Sequence, residues 1–321
     1  MKKLAFRTLT LFIIICLLSG SAQAAQLLIP VGELIGLQLT DGTVTVARLD
    51  ETVTAAQQAG LQVGDRLLRI NDTPVSCAED ILQALQRSDG TVHITLNRNG
   101  KQKKLTAHPA ATASGPRLGI YLKEGITGVG TVSFYDPETG VFGALGHGVN
   151  DQNGKLLSMD SGNAYRASIV SVKKGRIGTP GQLMGSLNGE EKLGVLSKNT
   201  SQGVFGTAKG AFKGQSLPVG SQKDVKTGPA TIRSCVNNDG VQEYSVEILK
   251  IYPNAGEKGR NMLLHVTDQA LLATTGGIVQ GMSGSPIIQD GKLVGAVTHV
   301  LVNDPTTGYG IFIENMLDAA A

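Results

Sequence analysis

From Leu118 to the C-terminus the sequence is a succession of short apolar runs separated by turn residues, and this rhythm limits the fold more than any other feature. Val129 to Tyr135, Gly140 to Leu145, Ala167 to Val172, Val204 to Ala208, Gly228 to Ser234, Val241 to Tyr252 and Met262 to Val266 read as strands. Asp136-Pro137-Glu138-Thr139, Asn237-Asn238-Asp239-Gly240 and Asp290-Gly291 supply turns between them. Many short strands at even spacing predict a sandwich or barrel rather than a parallel sheet covered by helices. Chains of this kind need residues that tolerate tight turns, and 42 glycines in 321 residues meet that need. A net charge of +3 is too small to single out nucleic acid as a partner. The basic clusters from Lys101 to Lys104 and Lys173 to Arg176 read as solvated strand ends. No C-x-x-C or H-E-x-x-H pattern points to a metal, and nothing calls for a cofactor.

The stretch from Pro30 to His108 has a different texture. Strands are expected over Ile35 to Leu39, Val44 to Leu49, Thr54 to Ala59, Asp65 to Ile70, Thr91 to Asn97 and Lys103 to Ala107. A helix is expected from Cys77 to Arg87, because Ala78, Ile81, Leu82 and Leu85 recur at helical spacing. The run Ala59-Gly60-Leu61-Gln62-Val63-Gly64-Asp65-Arg66-Leu67-Leu68-Arg69-Ile70-Asn71 closely resembles the signature of PDZ domains. That resemblance implies a small α+β domain over 30–108, with Ile35, Gly36, Leu37, Gln38 and Leu39 as its peptide-binding loop and strand. A ligand such as a chain terminus would add there as an extra strand. Pro109 to Pro116, rich in small residues and bounded by prolines, reads as a linker to a second domain over 117–321.

At the N-terminus Lys2, Lys3 and Arg7 precede an apolar stretch from Leu9 to Leu18 and the small-residue run Ser19 to Ala25. This is the layout of a signal peptide over 1–24 cleaved after Ala24, and it predicts export. An uncleaved anchor is the alternative, although the apolar stretch is short beside the roughly 20 residues of a spanning helix. Cys16 would leave with the signal, and Cys77 and Cys235 read as two buried thiols rather than a disulfide.

Chemistry concentrates in Gly281-Met282-Ser283-Gly284-Ser285-Pro286, followed by a hairpin through Asp290-Gly291 to Leu293-Val294-Gly295-Ala296-Val297. Small neighbours let an acyl group reach Ser283, and glycine permits the backbone twist that aims N–H groups at a developing oxyanion. The segment resembles the nucleophile loop of chymotrypsin-like serine peptidases. No strand-turn-helix surrounds Ser283, which argues against the elbow of an α/β-hydrolase. His147, between Gly146 and Gly148, has an uncrowded ring suited to a general base, whereas His265 and His299 sit in apolar strand runs. A histidine base of ordinary pKa predicts activity rising through about pH 6 to 8.

Ala144-Leu145-Gly146-His147-Gly148, the PDZ signature, Gly276 to Pro286 and Gly295 to Ile311 together resemble the stage IV sporulation protein B peptidases. The resemblance implies a mainly β chain, a small α+β PDZ domain followed by a chymotrypsin-like double β-barrel. It implies Ser283 as nucleophile, His147 as base and Asp268 as third member of a triad, with Asp160 and Asp304 as runners-up. It also implies an oxyanion hole from the N–H groups of Gly281 and Ser283, and a substrate groove along Thr298 and His299. By its spacing Asp268 also fits the N-cap of a short helix over Gln269 to Ala273. The activity implied is that of an exported, self-cleaving serine endopeptidase in the space between forespore and mother cell. Its substrate would be a membrane-associated regulatory protein whose cleavage releases an intramembrane protease. Family members often carry a long segment before the PDZ domain, where this chain has only residues 25–30, which leaves its tethering open. An inactive PDZ adaptor and a quality-control PDZ protease are the competing readings; the latter usually has its PDZ domain after the protease.

Overall fold

A computed structural model describes residues 26–151, 153–254 and 260–321; the signal peptide expected over 1–24 lies outside them. The first strands are β1 (Leu27–Pro30), β2 (Leu34–Leu49), β3 (Arg66–Ile70), β4 (Thr73–Pro74), β5 (Val92–Arg98), β6 (Lys101–Ala107), β7 (Ala110–Thr112) and β8 (Gly115–Arg117). There follow β9 (Ile120–Tyr135), β10 (Val141–Ala144), β11 (Ser161–Lys173), β12 (Gln182–Thr200), β13 (Gly203–Ala208) and β14 (Leu217–Pro218). The last are β15 (Gly228–Ser234), β16 (Gln242–Ile251), β17 (Met262–Val266), β18 (Pro286–Gln289), β19 (Lys292–Leu301) and β20 (Asp304–Phe312). Helices are α1 (Ala55–Gln58), α2 (Ala78–Gln86), α3 (Gln269–Thr275) and α4 (Ile313–Ala320).

These strands close two barrels. In the first, the order β9-β10-β13-β12-β11-β2 returns on itself because β2 also pairs with β9. The second runs β15-β16-β17-β20-β19-β18 and closes likewise. Alternation along β2 explains its place between them. Ile35, Leu37 and Leu39 turn into the first-barrel core with Val132, Phe142 and Leu196, while Leu34 belongs to the cluster built on second-barrel residues such as Ile232, Val246 and Leu264. A separate seam, Leu28, Phe134, Phe205, Leu293, Ile311, Ile313 and Met316, places α4 over the junction of the barrels.

The PDZ module has its own core, with Ile81, Ala84 and Leu85 of α2 packed among Leu67, Ile70, Ile94 and Leu96. Its signature aspartate is structural. Asp65 is fully buried and accepts from Nε and Nη2 of Arg98, both at 2.6 Å, and from the Gln62 N–H at 2.9 Å. Burial alone would raise its pKa; the Arg98 and Gln62 bonds outweigh that and hold the carboxyl below its ordinary value.

The long strands β2 and β9 belong to both units. Leu34 to Leu39 face Thr131 to Ile126 in the barrel, and Val44 to Leu49 face Glu124 to Ile120 in the PDZ sheet. The register shifts between these halves, and Gly125 (φ +64°) sits at the shift, where a Cβ would lie 1.9 Å from the Leu39 carbonyl oxygen.

Three expectations change. Ile35 to Leu39 is not a free PDZ edge: Leu34–Leu39 pairs with β9 on one side and Ile35–Thr40 with β11 on the other, so no backbone edge is left for a peptide. Ile120–Glu124 of β9 takes the place beside β2 in the PDZ sheet instead. Thr54 to Ala59 contains the one-turn helix α1 rather than a strand, in keeping with the helix-forming pairs Ala55-Ala56 and Gln57-Gln58. The expected linker folds as the hairpin β7–β8, Ala110 to Thr112 against Gly115 to Arg117. Cys77 and Cys235 are both free thiols and half-buried.

Candidate active site

The barrels meet along a cleft of about 480 Å³. His147 enters from the first barrel and Ser283 from the second. After β10 ends, Leu145 (φ +71°) and Gly146 (φ +68°) turn the chain through two left-handed residues to present His147. A Cβ on Gly146 would lie 2.9 Å from Thr298 Cγ2, so the turn is packed directly on the second barrel. Leu145 holds a conformation that costs a side-chain-bearing residue about 1–2 kcal/mol. Its side chain is buried in the first-barrel core, which offsets that cost.

The nucleophile loop is held from three sides. The Gly284 N–H donates to the Val297 carbonyl at 2.7 Å, and the Ser285 N–H to Met282 at 2.9 Å. From the first barrel, the Thr131 N–H donates to the Ser283 carbonyl at 2.9 Å and Thr131 Oγ1 to the Gly281 carbonyl at 2.8 Å. Gly284 (φ +98°) accepts no side chain, since a Cβ would sit 2.0 Å from the Thr131 carbonyl oxygen. With the Gly281 carbonyl engaged by Thr131, the N–H groups of Gly281 and Ser283 have no acceptor among the described residues. These are the donors an oxyanion hole requires. Ser285 is fully buried and donates to Ser234 Oγ at 3.1 Å, turned into the second barrel and away from the cleft.

Ser283 is half-buried, and its Oγ donates to the Thr298 carbonyl at 2.8 Å rather than to His147. His147 Nδ1 lies 2.9 Å from the Gly148 carbonyl, and because a carbonyl only accepts, Nδ1 carries the proton and Nε2 keeps the lone pair a base needs. Burial lowers the His147 pKa, with the Gly148 bond acting in the opposite sense. The His299 ring lies against it at 5.1 Å between centroids and 39° between planes. Burial, then the neighbouring His147 and Arg260, push the His299 pKa down to about 4, and its Nδ1 is buried without a partner.

The structure therefore brings His147, Ser283, Gly281, Thr298 and His299 together in one cleft, with Leu37 and Leu39 of β2 as part of the wall. Asp268 lies elsewhere, as the N-cap of α3: Oδ1 accepts from the Leu271 N–H at 2.9 Å and Oδ2 from the Ser245 N–H at 3.3 Å. Asp304 binds Thr306 and Thr307, and Asp160 is exposed beside the Gly42 turn. Among the described residues no carboxylate lines the cleft; the Gly148 carbonyl fixes the tautomer of His147. Thr131 escaped motif reading, since it stands in a strand far from the nucleophile loop. Its one sequence signal is a hydroxyl at an inward position of the apolar run Val129 to Tyr135.

Two outcomes follow from this geometry for a peptidase of the expected kind. A base must be neutral to act, and a lowered pKa keeps His147 neutral further into acid, so the acid limb of kcat/KM has its midpoint below about 6.5. A pH profile with a midpoint above that value would contradict the burial described here. Thr131→Val removes the hydroxyl at nearly constant volume and leaves the Gly281 carbonyl unpaired. It is expected to lower kcat by about 10- to 100-fold, with Thr131→Ser restoring it to within about threefold. Equal losses in both variants would show that the hydroxyl does not position the loop.

The SpoIVB peptidase S55 family model matches residues 115–317, more than half of the chain. A PDZ domain model matches residues 53–98. Among solved structures, the active form of the Rv3671c protease from M. tuberculosis is 15% identical, with 61% of this chain and 75% of that chain covered at a TM-score of 0.38. The HtrA-type protease AlgW with decapeptide is 10% identical, with 70% and 54% covered at a TM-score of 0.36. No protein of curated function matches the sequence. With its two barrels, its PDZ module and Ser283 set in the cleft between them, the chain belongs to the SpoIVB peptidase S55 family and is a chymotrypsin-like serine peptidase.

Proposed function

We propose that this peptidase is exported and acts as a signalling endopeptidase in the space between forespore and mother cell. Its substrate is a membrane-associated regulatory protein whose cleavage activates an intramembrane protease, and it processes its own N-terminal region. The observation that carries the endopeptidase chemistry is the nucleophile loop, where the Gly281 and Ser283 N–H groups have no acceptor among the described residues beside the Ser283 hydroxyl. Attack by Oγ places negative charge where those two donors point, and His147 Nε2 takes the proton and passes it to the leaving amine. Thr298 must release the Ser283 hydroxyl for that transfer to begin. Support for export is the basic-apolar-small pattern of residues 1–25, and the sporulation role rests on the family.

Recognition is assigned to a groove of about 320 Å³ between α2 and the first residues of β9. Ala78, Ile81, Leu82 and Leu85 form one wall, and Leu118 to Leu122 the other. In this stretch β9 pairs with β2 on one side only, so its second edge is open to an extended peptide such as a chain terminus. Leu82, 38% exposed, is an apolar contact available for docking.

The test separates chemistry from recognition. Ser283→Ala is expected to end casein hydrolysis and self-processing, with a loss on the order of a million-fold in kcat. Leu82→Asp is expected to weaken capture of a peptide ligand while small fluorogenic peptides are still hydrolysed at the parental rate. Parental activity in Ser283→Ala would remove the nucleophile assignment, and undiminished peptide capture by Leu82→Asp would remove the groove.

A further inference from the structure

We infer that the catalytic cleft selects a small or branched aliphatic side chain at P1, the residue whose carbonyl is attacked, and that Ile278 sets the depth of the slot. The inference rests on the peptidase reading of this cleft. A substrate carbonyl placed between Ser283 Oγ and the Gly281 and Ser283 N–H groups sits at the junction of two walls. One wall is the stretch Ile278 to Gln280 before the nucleophile, and the other is Thr298 to Val300 with Val302. The P1 side chain enters between them.

The slot is apolar and shallow. Among the described residues lining the cleft there is no Asp, Glu, Lys or Arg, so a charged P1 side chain would lose its water without gaining a partner. Ile278 is 2% exposed and closes the bottom by packing across to β20, where a Cβ on Gly308 would lie 2.6 Å from Ile278 Cδ1. Its backbone is anchored. The Ile278 N–H donates to the Pro305 carbonyl at 2.8 Å, and a Cβ on Gly277 would sit 2.1 Å from the same oxygen. Thr275 Oγ1, buried at the end of α3, donates to the Gly277 carbonyl at 2.6 Å. With strand β20 behind it and the loop pinned on both sides, Ile278 cannot swing aside for a long or aromatic side chain.

The full-length protein can be tested with fluorogenic peptides identical except for Ala, Val, Ile, Phe, Lys or Glu at P1. Single-methylene differences in such a slot change kcat/KM by about 10- to 200-fold. Ala, Val or Ile is expected to exceed Phe by about tenfold or more, with Lys and Glu lower still. Ile278→Ala is expected to raise the Phe-to-Val ratio of kcat/KM by about tenfold. This is a ratio within one protein that a reduced folded fraction does not alter. Lys, Glu or Phe turned over as fast as Val by the parent, or an unchanged ratio in Ile278→Ala, would overturn the slot. No turnover of any peptide together with no fluorophosphonate labelling of Ser283 would overturn the catalytic assignment of the cleft, and the slot with it.

Discussion

Two hydrogen bonds from Thr131 to the nucleophile loop are the constraint on which the rest of the site depends. Ser283 and His147 come from different barrels, and neither barrel alone presents both groups to one cleft. Thr131, on the first barrel, grips the carbonyls of Gly281 and Ser283 on the second, and its own carbonyl accepts from the Leu145 N–H at 3.2 Å, one turn before His147. A single buried residue thus ties the nucleophile loop to the turn that carries the base. The peptide that carries the Gly281 N–H is fixed from the other side, because the Gln280 carbonyl accepts from the Leu183 N–H at 2.8 Å.

That residue lies on β9, which also supplies Ile120–Glu124 to the PDZ sheet. The PDZ module and the peptidase are therefore joined by two continuous strands, β2 and β9, and by the hairpin β7–β8, instead of by a loose tether. Glycine marks the crossing. The register of β2 on β9 shifts where Gly125 sits, between the part of the pair in the barrel and the part in the PDZ module.

Much of this was legible in the sequence, and the failures have physical causes. The strands of the second barrel followed from apolar runs and turn pairs, and α2 from its helical spacing, because those signals are local; the choice of barrel over sandwich came from the family resemblance. The PDZ signature marked the module, but that its Asp65 would be buried against Arg98 was not legible in it. The edge assigned to Ile35–Leu39 failed because strand pairing is non-local: an apolar run reads the same whether its neighbour is a peptide or β11. Asp268 shows the same ambiguity at one residue. An aspartate before a short helix satisfies N-cap chemistry and triad order equally in sequence, and here its oxygens bind Leu271 and Ser245. Thr131 had no motif to betray it, since its partner atoms lie 150 residues away.

The central claim is that Ser283, activated by His147 in the cleft between the barrels, is the nucleophile. Mapping the site of fluorophosphonate modification by peptide mass spectrometry in the parent and in His147→Ala tests it most directly. The account predicts a single label on Ser283 in the parent, slowed by several orders of magnitude in His147→Ala. A label on Ser285 or elsewhere, or one that forms at the parental rate without His147, would contradict it.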